Sequence, residues 1–260
     1  MTDRIFLIVL TILGSAYAAL VAALLYADVA AMDTSRLPSL FRDDDLRSAL
    51  ILSLTTAVVS TTLAMLLAVP AAYLLARSRF AGRGVIEFLV DVPPTLPPTV
   101  IGLSLLLLLR TGVGREVSQI IPIAYEVPGI ILAQATVGTA VAIRLLRSIF
   151  EQLSPRTELL ARSLGASRWF AFRKVVLPEA SRGIVAAATL TWAKALGEFG
   201  PVLIVAGITR GKTEVLSTAI YLELSVGRLE SALAIALVLV LIAATVTAGV
   251  RRLAPAAAGS

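Results

Sequence analysis

The chain contains no cysteine and no histidine. The first absence removes disulfides, thiolate nucleophiles and thiolate metal sites. The second removes imidazole acid–base chemistry and histidine ligation. Charge is scarce too: Asp, Glu, Lys and Arg make up 15% of the 260 residues, against roughly a quarter in soluble domains. Aromatic residues account for only 6%. No Pro/Gly/Ser linker or low-complexity tract divides the chain, so residues 1–260 read as a single domain. What is abundant is apolar: 58% of residues are hydrophobic and the mean hydropathy is +0.90. This composition fits lipid as the solvent. For an intramembrane hydrolase only unusual Ser–Lys or paired-Asp schemes remain, and no two acids in separate spans carry a supporting motif. The chain is therefore not expected to be an enzyme, nor to hold a cofactor or metal.

About 20 apolar residues cover the hydrocarbon core as a helix. Six segments meet that length, at residues 5–27, 50–76, 85–109, 129–150, 184–206 and 229–250. The expected fold is all-α and polytopic, with a polar loop over 151–183. The first segment has the Arg4 and small residues of a signal peptide. Its length exceeds a typical signal core, so a retained helix is expected. With the N-terminus inside, the six spans leave the C-terminus inside as well. Fourteen of the 23 Lys and Arg residues then lie inside, while the acids, including the Asp43-Asp44-Asp45 run, concentrate outside. That is the positive-inside pattern, and it accounts for the net charge of +6 without nucleic acid as a partner.

Two spans are irregular. In the third, Asp91-Val-Pro93-Pro94-Thr-Leu-Pro97-Pro98-Thr99 places four prolines where a helix would continue. Each removes an N–H donor and clashes with the preceding turn. Broken backbone at membrane depth must be buried in protein or line a wet cavity, and interrupted helices point to transport sites. Either a packed kink or a path lined by Pro97, Pro98 and Thr99 fits. In the fifth, Lys194 and Glu198 stand four apart on one helical face. They serve either as part of an anion path or gate, or as a neutral structural ion pair. Span two carries Ser53, Thr55, Thr56, Ser60, Thr61 and Thr62. Such hydroxyls more often bond within or between helices than line a pore. Gly207-Ile-Thr-Arg-Gly211-Lys212-Thr213 looks like a phosphate loop. It has three residues between glycines rather than four and follows no strand, so no nucleotide binding is expected.

The loop between spans four and five is polar and basic. Ser154-Pro155 reads as an N-cap with proline at the first helical position. Gly165 reads as a helix stop. Ser167 can cap a second short helix carrying Trp169, Phe170 and Phe172 that ends before Pro178. The product is a hairpin, apolar on one side and basic on the other. It suits either an anionic lipid surface or helix-in-groove docking to a cytoplasmic partner.

The spacing of this loop resembles a known signature. From Gly165 there are nine residues, then the aliphatic Val175, one residue, and Leu177-Pro178. This is similar to the coupling-loop motif of ABC importer permeases, whose Glu-Ala-Ala triplet stands three residues before the glycine. Here Leu159-Leu160-Ala161 holds the triplet's place, with Glu158 one position early. Any partner contact of the motif's glutamate is thus left open or moved to Glu158. The segments Asp91–Gly102 and Ala195–Gly200, with Ala206-Gly207, Gly211–Glu214 and Ala219–Tyr221, resemble the permeases for molybdate, tungstate and sulfate.

The resemblance implies an ATP-driven, binding-protein-dependent importer of a tetrahedral oxyanion, molybdate or tungstate first and sulfate or thiosulfate next. It implies a second copy of the chain, a cytoplasmic ATPase dimer that holds the ATP and Mg, and an extracytoplasmic binding protein. The location would be a prokaryotic cell membrane, with both termini cytoplasmic. Coupling would fall to Glu158, Leu160, Ala161, Gly165, Ala166, Ser167 and Pro178. The path and gate would involve Pro97, Pro98, Thr99 and Glu198. The competing reading is an ion-gradient-driven carrier or channel that uses Asp91, Lys194 and Glu198.

Overall fold

Helices are the only regular elements among residues 3–30 and 44–253, the parts of the chain that this computed structural model describes. The expected Asp43 position and the tail beyond Leu253 lie outside them. Helix α1 (Asp3–Ala30) exposes its whole apolar length and leans on the last helix. Helix α2 (Asp44–Arg77) begins with Asp44 and Asp45 and ends on Arg77, charges that complement its macrodipole. One stripe of α2 is built from small residues: Ala49, Ser53, Ala57, Ser60, Ala64, Ala68 and Ala72 are buried. Their spacing of three or four puts them on one face, where small side chains let helices approach closely.

That stripe packs on α6 (Val127–Gln152), which also touches the helices Arg83–Thr95, Pro98–Arg110, Leu177–Leu196 and Gly200–Ala206 and so forms the hub. Gly138 of α6 lies at a close approach: a Cβ there would stand 3.2 Å from Thr191 Cγ2 and 3.8 Å from Ala64 Cβ. Three helices meet at this glycine.

The four prolines do break the third span. Helix α3 (Arg83–Thr95) and helix α4 (Pro98–Arg110) are separated at Leu96-Pro97 and bent by 118°. Pro93 and Pro94 end α3, and Pro98 opens α4, where a missing N–H costs nothing. A short amphipathic helix, α5 (Gly112–Ile120), follows.

After the hub come α7 (Pro155–Ser163), α8 (Arg168–Ala171), a π-helical turn (Phe172–Val176) and α9 (Leu177–Leu196). Here one expectation is corrected. The second helix of the hairpin does not stop before Pro178; it runs through the π turn into α9. Leu177 N–H reaches back five residues to Phe172 O. The wider turn accommodates the proline, which then sits in the first turn of α9, where no donor is required.

The fifth span is corrected in the same way. It starts earlier than residue 184 and divides at Gly197–Phe199 before α10 (Gly200–Ala206), with Pro201 again in the opening turn. Helix α11 (Leu216–Ser225), which the sequence reading did not single out, precedes α12 (Leu229–Leu253).

Among the described residues, α1, α2, α6 and α12 are long and apolar enough to cross a membrane, and the bent α3–α4 pair supplies a fifth span. Helix α9, which carries Glu179, Arg182 and Lys194, is not among them.

Candidate functional site

The two interrupted spans meet. Gly200, first residue of α10, lies against the start of α4; a Cβ on it would come within 2.9 Å of Pro98 Cβ and 3.2 Å of Thr99 N. One turn further along, a Cβ on Gly102 would reach 2.8 Å from Ile204 Cβ and 2.9 Å from Pro201 Cα. Each glycine meets both backbone atoms and a Cβ of the facing helix, and the spacing leaves no room for a side chain of its own. Below it Ile101, Leu105, Val202 and Val205 pack with Ile130, Ala133 and Val137 of the hub. Pro97, Pro98 and Thr99 are exposed along this junction.

Glu198 sits in the second break with 2% of its side chain exposed. Its carboxylate pairs with Lys194 Nζ at 2.6 Å, while the Lys194 side chain stays 45% exposed. The Glu198 carbonyl accepts a hydrogen bond from Ser217 Oγ at 2.8 Å. Phe199 stacks obliquely on Tyr221, centroids 5.3 Å apart. The pair contributes no net charge, and it is Lys194 rather than Glu198 that reaches the open side. Asp91 is not part of this cluster: it pairs with Arg144 at 2.8 Å. The three residues of the ion-driven alternative are thus committed to two separate ion pairs.

Of the six hydroxyls singled out in α2, all but that of Thr61, whose buried Oγ1 has no hydrogen-bond partner, are occupied. Ser53, Thr55, Thr56, Ser60 and Thr62 donate to carbonyls of their own helix. Ser60 also contacts Gln134 Oε1 at 3.0 Å, and Ser53 Oγ accepts the Leu216 N–H at 2.7 Å, capping the start of α11. The phosphate-loop lookalike closes on itself. Thr213 Oγ1 accepts from Thr209 N, and Lys212 pairs with Glu126.

The hairpin follows its cap chemistry. Ser154 Oγ accepts from Arg156 N at 3.3 Å and Ser167 Oγ accepts from Phe170 N at 3.2 Å. Helix α7 ends in a Schellman motif: Ala166 N–H bonds Ala161 O at 3.1 Å and Gly165 N–H bonds Arg162 O at 3.0 Å. Gly165 takes φ +91°, which a side chain would strain. Phe172 is driven into the core against Phe150 and Tyr73, each buried phenyl being worth about 1.5–3 kcal/mol. Leu159, Leu160, Leu164, Trp169 and Phe170 remain exposed. Around Gly165 they leave an open hollow of about 530 Å³ lined by Ala161, Leu164, Ala166, Ser167 and Phe170.

Of the seven expected coupling residues, Leu160, Ala161, Gly165, Ala166 and Ser167 gather on this tip. Pro178 lies exposed beyond the π turn. Glu158 differs, since it is buried and turned inward. Its carboxylate accepts from Tyr73 Oη at 2.6 Å and pairs with Arg77. Neither Tyr73 nor Arg77 stood out in the sequence, because nothing local to α2 announces a partner some eighty residues later.

These features match known proteins. Over 192 residues the chain is 39% identical to a probable molybdenum ABC transporter permease protein of Haloferax volcanii, covering 74% of this chain and 69% of that protein. It is 39% identical over 156 residues to the sulfate transport system permease protein CysT of Escherichia coli, covering 59% of this chain and 56% of CysT. In three dimensions it aligns with a chain of a bacterial alginate ABC transporter solved with its pentasaccharide-bound periplasmic protein. That alignment has a TM-score of 0.75 and 16% identity and covers 97% and 95% of the two chains; it establishes the fold. The family model for binding-protein-dependent transport system inner membrane components matches residues 68–259. The chain belongs to that family: it is the membrane-embedded permease subunit of an ABC importer, and ATP hydrolysis falls to a separate chain.

Proposed function

We propose that this permease carries a tetrahedral oxyanion inward, molybdate or tungstate in first place and sulfate or thiosulfate next. The observation that carries the reading is the 39% identity to both a molybdenum and a sulfate permease. Two copies of the chain enclose a central path, each crossing the membrane six times with both termini in the cytoplasm. A cytoplasmic ATPase dimer seats on the exposed tip of α7, in the hollow around Gly165. An extracytoplasmic binding protein delivers the anion on the opposite face. Closure of the ATPases moves the hairpins, and the bundles rock between two packings, so that the path opens to one side at a time.

The junction of α4 and α10 suits this motion. Two helix breaks in glycine-mediated contact form a short, rigid piece with hinges at Leu96-Pro97 and at Gly197–Phe199. Pro97, Pro98 and Thr99 present the path surface, and the Lys194–Glu198 pair fixes the second hinge as part of the gate. Because that pair is neutral, no fixed net charge at the junction traps a dianion, and discrimination falls mainly to the binding protein.

Reconstitution decides the matter. Permease, ATPase and binding protein in proteoliposomes are expected to take up labelled molybdate only with ATP inside and irrespective of an ionophore. Uptake that survives ATP depletion and collapses with the proton gradient would show the ion-driven carrier instead.

A further inference from the structure

The signature places a glutamate where this chain has Leu159, and the acid stands one residue earlier. On an α-helix one residue is about 100° of rotation. That rotation takes the carboxylate off the exposed tip and into the bundle. Leu159 is 57% exposed, whereas Glu158 is 9% exposed. Glu158 accepts from Tyr73 Oη at 2.6 Å and faces Arg77 Nε at 3.7 Å, both at the cytoplasmic end of α2. The same guanidinium donates Nη2 to Leu153 O at 2.8 Å, at the corner where α6 hands over to α7. The Tyr73 ring is itself wedged between Phe150 and Phe172, at 5.9 and 4.5 Å.

From this geometry we infer that Glu158 is a positioning residue, an internal latch that makes α7 and the end of α2 move as one body, and not a contact to the ATPase. The inference rests on the ATP-driven reading above. A shallow helix of nine residues, loaded at its tip, needs an attachment on the bundle side or it will slide. The hydrogen bond from Tyr73 and the ion pair with Arg77, both made to a largely buried carboxylate, are stronger and more directional than apolar contacts. They stand opposite the exposed Leu160 and Leu164, so docking and anchoring use different faces of α7. Through α2, which packs along the hub α6, displacement at the tip reaches the whole bundle.

The test uses the complete complex of permease, ATPase and binding protein in proteoliposomes. Tyr73→Phe keeps the ring packing and removes the hydrogen bond; Glu158→Gln keeps the shape and removes the charge. Both are expected to retain the ATPase at wild-type stoichiometry on purification. Both should lower anion taken up per ATP hydrolysed by about fivefold, a typical coupling magnitude. The double variant should be no worse than either single one, because both cut the same link. Leu160→Asp, on the docking face, should instead release the ATPase. Loss of ATPase from the Tyr73→Phe or Glu158→Gln complex would make the site a docking contact and overturn the proposal. An unchanged uptake-to-ATP ratio in intact variant complexes would also overturn it. Absence of ATP-dependent uptake in the wild type would overturn the transport reading and this latch together. Should the Glu158→Gln permease itself fail to fold in detergent, Tyr73→Phe, which keeps the ring packing, decides alone.

Discussion

Gly200 and Pro98, separated by a hundred residues of chain, sit so close that a Cβ on the glycine would fall 2.9 Å from the proline Cβ. Each belongs to a break in a different membrane segment. Proline forces the first break by removing donors, and Gly197 and Pro201 bracket the second. Their meeting turns two local defects into one structure, at the place where the candidate path surface is exposed.

Gly200→Val tests that contact. The new side chain must displace Pro98 and the backbone at Thr99, and overpacking of this kind costs about 1–3 kcal/mol. A lower thermal transition in detergent and loss of uptake are expected, with ATPase still bound, since the hairpin is remote from the substitution. Gly102→Val should do the same through Ile204 and Pro201.

The ion pair behind the junction gives an asymmetric prediction. Lys194→Met leaves the buried Glu198 carboxylate without its cation, whereas Glu198→Gln leaves a half-exposed lysine that solvent can reach. The first should destabilise the protein by about 1–3 kcal/mol and the second by less. The double variant Lys194→Met with Glu198→Gln should recover most of the loss. Thermal melting of the three proteins checks this, and equal losses in the two single variants would argue that the pair is not desolvated as described.

Gly165 has open space around it and φ +91°, so a substitution there acts through backbone strain and through the hollow proposed to seat the ATPase rather than through a clash. A left-handed non-glycine residue costs roughly 1–2 kcal/mol. Gly165→Asp, which adds a negative charge in the hollow, is expected to weaken ATPase assembly or to uncouple hydrolysis from uptake. Gly165→Asn should be milder. Normal uptake by the aspartate variant would weigh heavily against docking at this tip.

Ser53→Ala separates a structural hydroxyl from a path-lining one. It removes the acceptor for the buried Leu216 N–H, which should lower stability by about 1–3 kcal/mol. The ratio of molybdate to sulfate uptake should stay where it was. A shifted ratio would place Ser53 on the path after all.

Much of the site could be read from the chain because it rests on local chemistry. Ser154-Pro155, Gly165 and Ser167 specify caps and a Schellman turn within a few residues of themselves, and the structure forms each of them. The four prolines specify a break regardless of what surrounds them. Reading failed at Pro178, where proline was taken as a stop; a single π turn moves the hydrogen-bond register and lets the helix pass. It also passed over α5 and α11, helices too short to show a full apolar period; α5 leans on the end of α4 just before it, and α11 packs on α12 and takes its cap from Ser53 of a distant helix.

By itself the sequence determined the solvent, the helical class and the turn at the tip of the hairpin, because composition, hydrophobic length and cap residues act over one helix or less. Only the tertiary structure decided that the two broken segments touch, that the ion pair is neutral and half-buried, and that Glu158 turns inward to Tyr73 and Arg77. Those outcomes depend on which helix faces share a hub and on rotations of a single residue about a helix axis. Close packing sets these, and no linear pattern of residues carries them.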